Sequence, residues 1–93
     1  MYYVYIIQSK ITRNYYIGYT SDVQRRLDQH NQGKTRSTKA YKPWELVFTK
    51  GFESKRKARQ IELKIKKMKS HKFIERLINK EIDDLFYGID KNY

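Results

Sequence analysis

Two stretches, Tyr2-Tyr3-Val4-Tyr5-Ile6-Ile7 and Tyr15-Tyr16-Ile17-Gly18-Tyr19, decide the fold. Both are aromatic and β-branched, the side chains that fit a pleated and half-buried surface, so each reads as a strand. The first carries no charged position and predicts a strand covered on both faces. Between them, Ser9 to Asn14 is polar and suits a hairpin loop. A hairpin symmetric about residues 10 and 11 sets Tyr5 opposite Tyr16 and Tyr3 opposite Gly18. Alternation then gathers Tyr3, Tyr5, Tyr16 and Gly18 on one face of the pair. Gly18 leaves room beside that cluster, as strand glycines do where another group approaches closely.

Working outward, Ser21 with Gln24 fits a capping box, Asp22 suits a first helical turn and Gly33 suits a C-terminal stop. At about 100° per residue, Val23, Arg26, Leu27 and His30 share one face of this helix, while Arg25 points nearly the opposite way. An arginine and a histidine on a stripe destined for burial are unusual, because a buried charge costs several kcal/mol unless something pairs with it. Gly33 to Lys42 is a basic loop containing Ser and Thr. Pro43 precedes a third strand, Trp44 to Phe48 or slightly beyond. Ser54 can cap a second helix running to about Lys69, with Ala58, Ile61, Ile65 and Met68 as its apolar stripe. Ser70 can start a third, with Phe73, Ile74, Leu77 and Ile78 facing inward. The pattern predicts a small α/β (α+β) domain: a three-stranded, mostly antiparallel sheet flanked by helices, in the order β-β-α-β-α-α. We expect one domain over residues 1–82 and a short acidic tail over 83–93.

Composition narrows the function. Ninety-three residues make one domain with a small core. Lys and Arg number 21 against 10 Asp and Glu, a net charge of +11, so the chain should attract polyanions. The absence of Cys excludes a disulfide scaffold, a Cys-ligated zinc site and a thiol nucleophile. The longest apolar run, Met1 to Ile7, is too short for a membrane span or a signal segment. These features predict a soluble, cytoplasmic domain.

One carboxylate stands out. Between Ser54 and Lys72 nine Lys and Arg surround a single acid, Glu62, which the helical wheel puts at the rim of the buried stripe. Two readings stand at this point. Glu62 pairs with a lysine one turn on, such as Lys66. Alternatively it is a ligand for a hard cation facing a phosphate channel, since Mg²⁺ often takes only one or two protein carboxylates plus water and substrate phosphate.

Together these residues resemble the GIY-YIG nuclease superfamily, small stand-alone type, similar to the catalytic domain of the excision-repair incision subunit. Tyr3-Val4-Tyr5 and Tyr16-Ile17-Gly18 look like the two half-motifs. Arg26 follows Tyr16 at the spacing of the family's arginine, His30 stands one turn later, and Gly33-Lys34 continues the pattern. Lys42-Pro43-Trp44-Glu45-Leu46-Val47 looks like the third strand, and Ala58 with Glu62 and Ile65-Lys66 looks like the helix bearing the metal-binding glutamate. Asn79 matches a late asparagine. Two positions depart: Tyr3 replaces the first motif's glycine, and Tyr19 stands where the repair subunit has a lysine.

The resemblance implies a metal-dependent endonuclease that hydrolyses phosphodiester bonds in DNA, in repair or recombination, with one Mg²⁺ (or Mn²⁺) ion on Glu62. It implies that Arg26 hydrogen-bonds the phosphate and that Tyr5 and Tyr16 lie around the attacking water, Tyr5 being the preferred general base and Tyr16 or His30 the alternatives. Nucleic acid, with DNA favoured over RNA, is the implied partner, and a second protein could supply specificity. Lys34, Arg36, Lys39, Lys55, Lys66 and Lys69 are the candidate phosphate contacts. The opposing readings are that the tyrosines are core aromatics, that Arg26 is stapled to the C-terminal aspartates, and that the chain is a silent basic module binding DNA or RNA.

Overall fold

The computed structural model describes residues 1–80; the acidic tail expected at 83–93 lies outside the described residues. Three strands and three helices follow in the expected order: β1 (Tyr2–Ser9), β2 (Tyr15–Thr20), α1 (Val23–Asn31), β3 (Trp44–Phe52), α2 (Lys55–Met68) and α3 (His71–Ile78), with a 3₁₀ turn at Lys39–Tyr41 before β3. The sheet order is β2-β1-β3 and both pairings are antiparallel. β1 is therefore the central strand, which is why Val4, Tyr5, Ile6 and Ile7 are all buried.

The pleat sorts two cores onto the two faces of β1. Val4 and Ile6 point to one side and pack with Ile17, Ala58, Ile61, Ile65, Ile74 and Leu77, so α2 and α3 cover that face. Tyr5 and Ile7 point to the other and pack with Trp44, Tyr16, Val23 and Leu27, so α1 covers it. Burying an isoleucine such as Ile61 or Ile65 contributes about 2–3 kcal/mol.

The hairpin register differs from the symmetric expectation by two residues. Tyr5 faces Gly18, Ile7 faces Tyr16 and Tyr3 faces Thr20. A two-residue turn at Lys10-Ile11 would require positive φ at Lys10, where type II′ wants glycine, or at both positions in type I′, which a β-branched isoleucine resists. The loop instead runs from Lys10 to Asn14 and puts its left-handed residue at Arg13 (φ 66°). The buried Ser9 hydroxyl accepts from the amides of Ile11 and Thr12, and the Ser9 amide donates to the Asn14 carbonyl. An even slip preserves the faces, so the predicted cluster of Tyr3, Tyr5, Tyr16 and Gly18 keeps its side.

Three smaller expectations also shift. Asp22 rather than Ser21 caps α1, accepting from the Arg25 amide, because the Thr20 hydroxyl takes the Asp22 amide and delays the helix by one residue. Gly33 closes α1 as expected, at φ 75°. Met68 is 47% exposed instead of completing the α2 stripe: the chain turns at Lys69 (φ 47°), and α3 brings Ile74 and Leu77 to the core. Finally, β3 continues to Phe52, with a bulge opposite Ile6 and Ile7.

Candidate nuclease site

The site is built on the α1 face of the hairpin. Gly18 stands opposite Tyr5 because nothing larger fits. A Cβ at Gly18 would lie 2.5 Å from the Tyr5 hydroxyl oxygen and 2.6 Å from its ring carbon. The tyrosine thus lies across the glycine, and its hydroxyl reaches His30 Nε2 at 2.9 Å.

His30 is fully buried, as its place on the inward stripe of α1 predicted, and two hydroxyl groups satisfy it. Its Nδ1 meets Thr38 Oγ1 at 2.8 Å, and the Thr38 hydroxyl in turn reaches the Thr35 carbonyl at 3.4 Å. If the threonine donates to that carbonyl, it accepts from Nδ1–H, which leaves Nε2 as an acceptor for the Tyr5 phenol. Burial, assisted by the Arg26 charge, lowers the His30 pKa from 6.5 to about 4, so the ring is neutral at physiological pH. Burial pushes the Tyr5 phenol above its ordinary value of 10; the Arg26 guanidinium, in hydrogen-bonding reach, pulls the other way, while Tyr16 and Glu62 add to the rise. Tyr5 is therefore a neutral phenol in the resting site.

Tyr16 packs edge-on against His30, with centroids 5.0 Å apart, and lies 6.4 Å from both the Tyr5 and Trp44 rings. Arg26 is half-buried, and its Nη1 donates to Gln29 Oε1 at 2.9 Å. Beside it opens a polar cleft of about 330 Å³ lined by Thr20, Ser21, Asp22, Arg25, Arg26 and Gln29. From the second layer, α2 contributes Glu62, only 6% exposed, so it is more deeply set than the rim position predicted from the wheel. Its carboxylate pairs with Lys66 at 3.2 Å, and the Lys66 ammonium lies 5.9 Å from the centre of the Tyr16 ring. Since Tyr16 sits on the edge strand β2, this lysine spans from α2 past that edge to the α1 face.

The fold thus gathers Tyr5, Tyr16, Arg26, His30 and Glu62 from four elements. It does not bring in Asn79, which caps the end of α3, exposed, with no hydrogen bond to the tyrosine cluster. The expected phosphate contacts are all exposed: Lys34, Arg36 and Lys39 on the loop that carries Thr38 over His30, and Lys55, Lys66 and Lys69 on α2 or its cap. Thr38 escaped the sequence reading; its one signal is that a histidine on a buried stripe needs polar partners. Arg26 donates to Gln29, and the reading that staples it to the C-terminal aspartates falls on residues outside those described.

No group of three or more His, Cys, Asp or Glu side chains that could hold a metal exists among the described residues. Glu62 offers a single buried carboxylate, ion-paired with Lys66 and near enough for its charge to act on the Tyr5 phenol. That donor set fits a hard, largely hydrated ion completed by substrate phosphate, and does not fit a closed protein cage.

The fold therefore presents an antiparallel β2-β1-β3 sheet with tyrosines on β1 and β2, an arginine on the following helix and a buried glutamate on the next. The GIY-YIG family matches residues 1–75, and the chain belongs to that family of nucleases. It is 41% identical over 68 residues to a UPF0213 protein of Streptococcus pneumoniae serotype 4, covering 72% of this chain and 68% of the relative. A UPF0213 protein of Clostridium perfringens is 33% identical over 93 residues, 99% of each chain. The solution NMR structure of a UPF0213 protein from Bacillus halodurans shares 38% identity and superposes with a TM-score of 0.53 over 85% of this chain and 84% of that one. Among the described residues no helix is long and apolar enough to cross a membrane.

Proposed function

We propose that the chain is a divalent-metal-dependent endonuclease that hydrolyses phosphodiester bonds in DNA, with Tyr5, Tyr16, Arg26, His30 and Glu62 as its working residues. The observation that carries this reading is the hydrogen-bonded line from the Tyr5 phenol through His30 to Thr38, set beside a guanidinium and a buried carboxylate. An apolar core has no use for such a line, and its upkeep costs desolvation of every group in it.

In the reaction, Arg26 binds non-bridging oxygens of the phosphate, which its planar fork matches better than lysine would. A water aligned between Tyr5 and Tyr16 attacks phosphorus. Its proton passes to the Tyr5 oxygen while the Tyr5 proton moves to His30 Nε2, so the phenol works as a relay and need not ionise beforehand. Thr38 keeps the imidazole in the accepting tautomer. Phosphate on Arg26 offsets the positive charge that helps depress His30, which raises the ring's proton affinity when substrate is present. Glu62 would hold the divalent cation, which would supply Lewis-acid stabilisation of the charge that develops as the phosphodiester is cleaved. Repair or recombination of DNA is the setting we favour, with residues 1–82 as the working domain and a partner protein contributing specificity that so small a surface lacks.

The Lys66–Glu62 ion pair favours a second reading, a basic module that binds nucleic acid without cutting it. One experiment separates the two. Purified protein is incubated with Mg²⁺ or Mn²⁺ and fluorescent duplex DNA, flapped DNA or single-stranded RNA. The nuclease reading expects ion-dependent cleavage of DNA that Glu62→Gln abolishes while binding survives. Salt-sensitive binding with no cleavage under any ion would establish the module instead.

A further inference from the structure

The α2 helix carries a second feature that the reaction above does not use. Tyr19 immediately follows the Tyr16-Ile17-Gly18 motif, and its side chain packs toward the α2 core rather than into the phenol cluster. Its hydroxyl accepts a hydrogen bond from Arg59 Nη1 at 3.3 Å. Arg59 is exposed and makes no ion pair with a carboxylate among the described residues. A fully solvated arginine is ordinarily mobile and loses side-chain entropy on binding. Here it is tethered to the sheet, beside a buried carboxylate whose charge it feels.

Helical geometry extends the point. At about 100° per residue, Lys55, Arg59 and Lys66 all fall within about 60° of Glu62 on the surface of α2. Lys55 to Lys66 spans about 16 Å of helix, whereas each strand of a duplex carries one phosphate per about 3.4 Å of axis. The three cations therefore match a run of phosphates on one strand, with Glu62 between Arg59 and Lys66.

We propose that Arg59, steadied by the Tyr19 hydroxyl, binds a phosphate neighbouring the scissile one. Together with Lys55 it makes α2 a track for one strand of nucleic acid across the Glu62 site. Arg59 is a substrate-binding residue and Tyr19 a positioning residue, whose hydroxyl holds the guanidinium in place before substrate arrives. The inference rests on Glu62 marking the cutting site, and it assigns the direction from which the strand is held.

The test measures binding of a fluorescein-labelled DNA duplex by polarisation in the Glu62→Gln background, where cleavage does not interfere. Adding Arg59→Ala should weaken binding about tenfold and reduce the slope of log affinity against log salt by about one. Lys64→Ala, the same charge change on the opposite face of α2, should alter affinity less than about twofold. Tyr19→Phe should weaken binding by a smaller factor than Arg59→Ala and leave the salt slope intact, since no charge is removed. With Glu62 restored, Arg59→Ala should raise KM with kcat nearly unchanged. Equal effects of Arg59→Ala and Lys64→Ala would show a diffuse charge effect and overturn the track. Absence of cleavage by the wild-type chain would refute the nuclease reading, and the binding comparison would still decide the track on its own.

Discussion

The two faces of β1 are built from alternate residues of one strand and behave as different materials. The Val4–Ile6 face meets Ala58, Ile61 and Ile65 in a dry aliphatic core. The Tyr5–Ile7 face meets Tyr16, Trp44 and His30, and is held by hydrogen bonds through His30, Thr38 and the Trp44 indole, which donates to the Thr38 carbonyl at 3.0 Å. No buried side-chain nitrogen or oxygen among the described residues lacks a hydrogen-bond partner, so the second face is fully connected rather than merely polar. Stability can be concentrated on the first face because the side chains of Ala58, Ile61 and Ile65 bury there with no polar group to satisfy, even though α2 also carries Glu62. The second face accepts desolvated groups that a core optimised for stability alone would replace.

That division can be broken from either side. The largest effect should come from Glu62→Gln, which in our reading cuts the cleavage rate by roughly a thousandfold, about 4 kcal/mol of barrier, while the urea midpoint moves little. A large drop in stability instead would assign Glu62 to the fold. Ile61→Ala on the dry face should do the reverse: a loss of about 3 kcal/mol of unfolding free energy by urea titration, with DNA affinity per folded molecule unchanged.

The polar face has a pH signature. His30 titrates at about 4 in the folded chain against 6.5 ordinarily, so between those values the unfolded chain binds more protons. Its contribution is fully present above pH 6.5 and is lost as pH falls through about 4, and over that window unfolding should become easier by about 3 kcal/mol. His30→Gln should flatten the slope of stability against pH in that range, whatever its effect at neutral pH. An unchanged slope would mean that His30 is not held neutral by its surroundings.

Gly18→Ala sharpens the comparison at smaller scale. The added methyl collides with the Tyr5 ring, which the His30 hydrogen bond holds from its far end. We expect a loss of about 1–2 kcal/mol in stability and a disproportionate loss of cleavage as the phenol is displaced. Gly18→Ala with full activity would show that the Tyr5 position is not tightly set.

Much of this was legible along the chain because it depends on local periodicity. The alternating face of the hairpin, the inward stripe carrying Arg26 and His30, and the caps at Ser54 and Ser70 follow from spacing and side-chain type, and the structure bears them out. The hairpin register was not legible, because a slip of two residues leaves the alternation of faces intact; only the left-handed residue at Arg13 chooses between them. Nor could Thr38 be found, since one hydroxyl among several in a basic loop carries no periodic signal.

The amino-acid order alone determined three strands and three helices, a strongly cationic surface, and one acid isolated on a helix of cations. Only the tertiary structure decided which groups meet. It set Tyr5 across Gly18 and onto His30, brought Lys66 beside the Tyr16 ring, and tethered Arg59 to Tyr19. The reason is one of range: secondary structure is chosen by neighbours within a few residues, whereas those encounters join residues 13 to 50 positions apart.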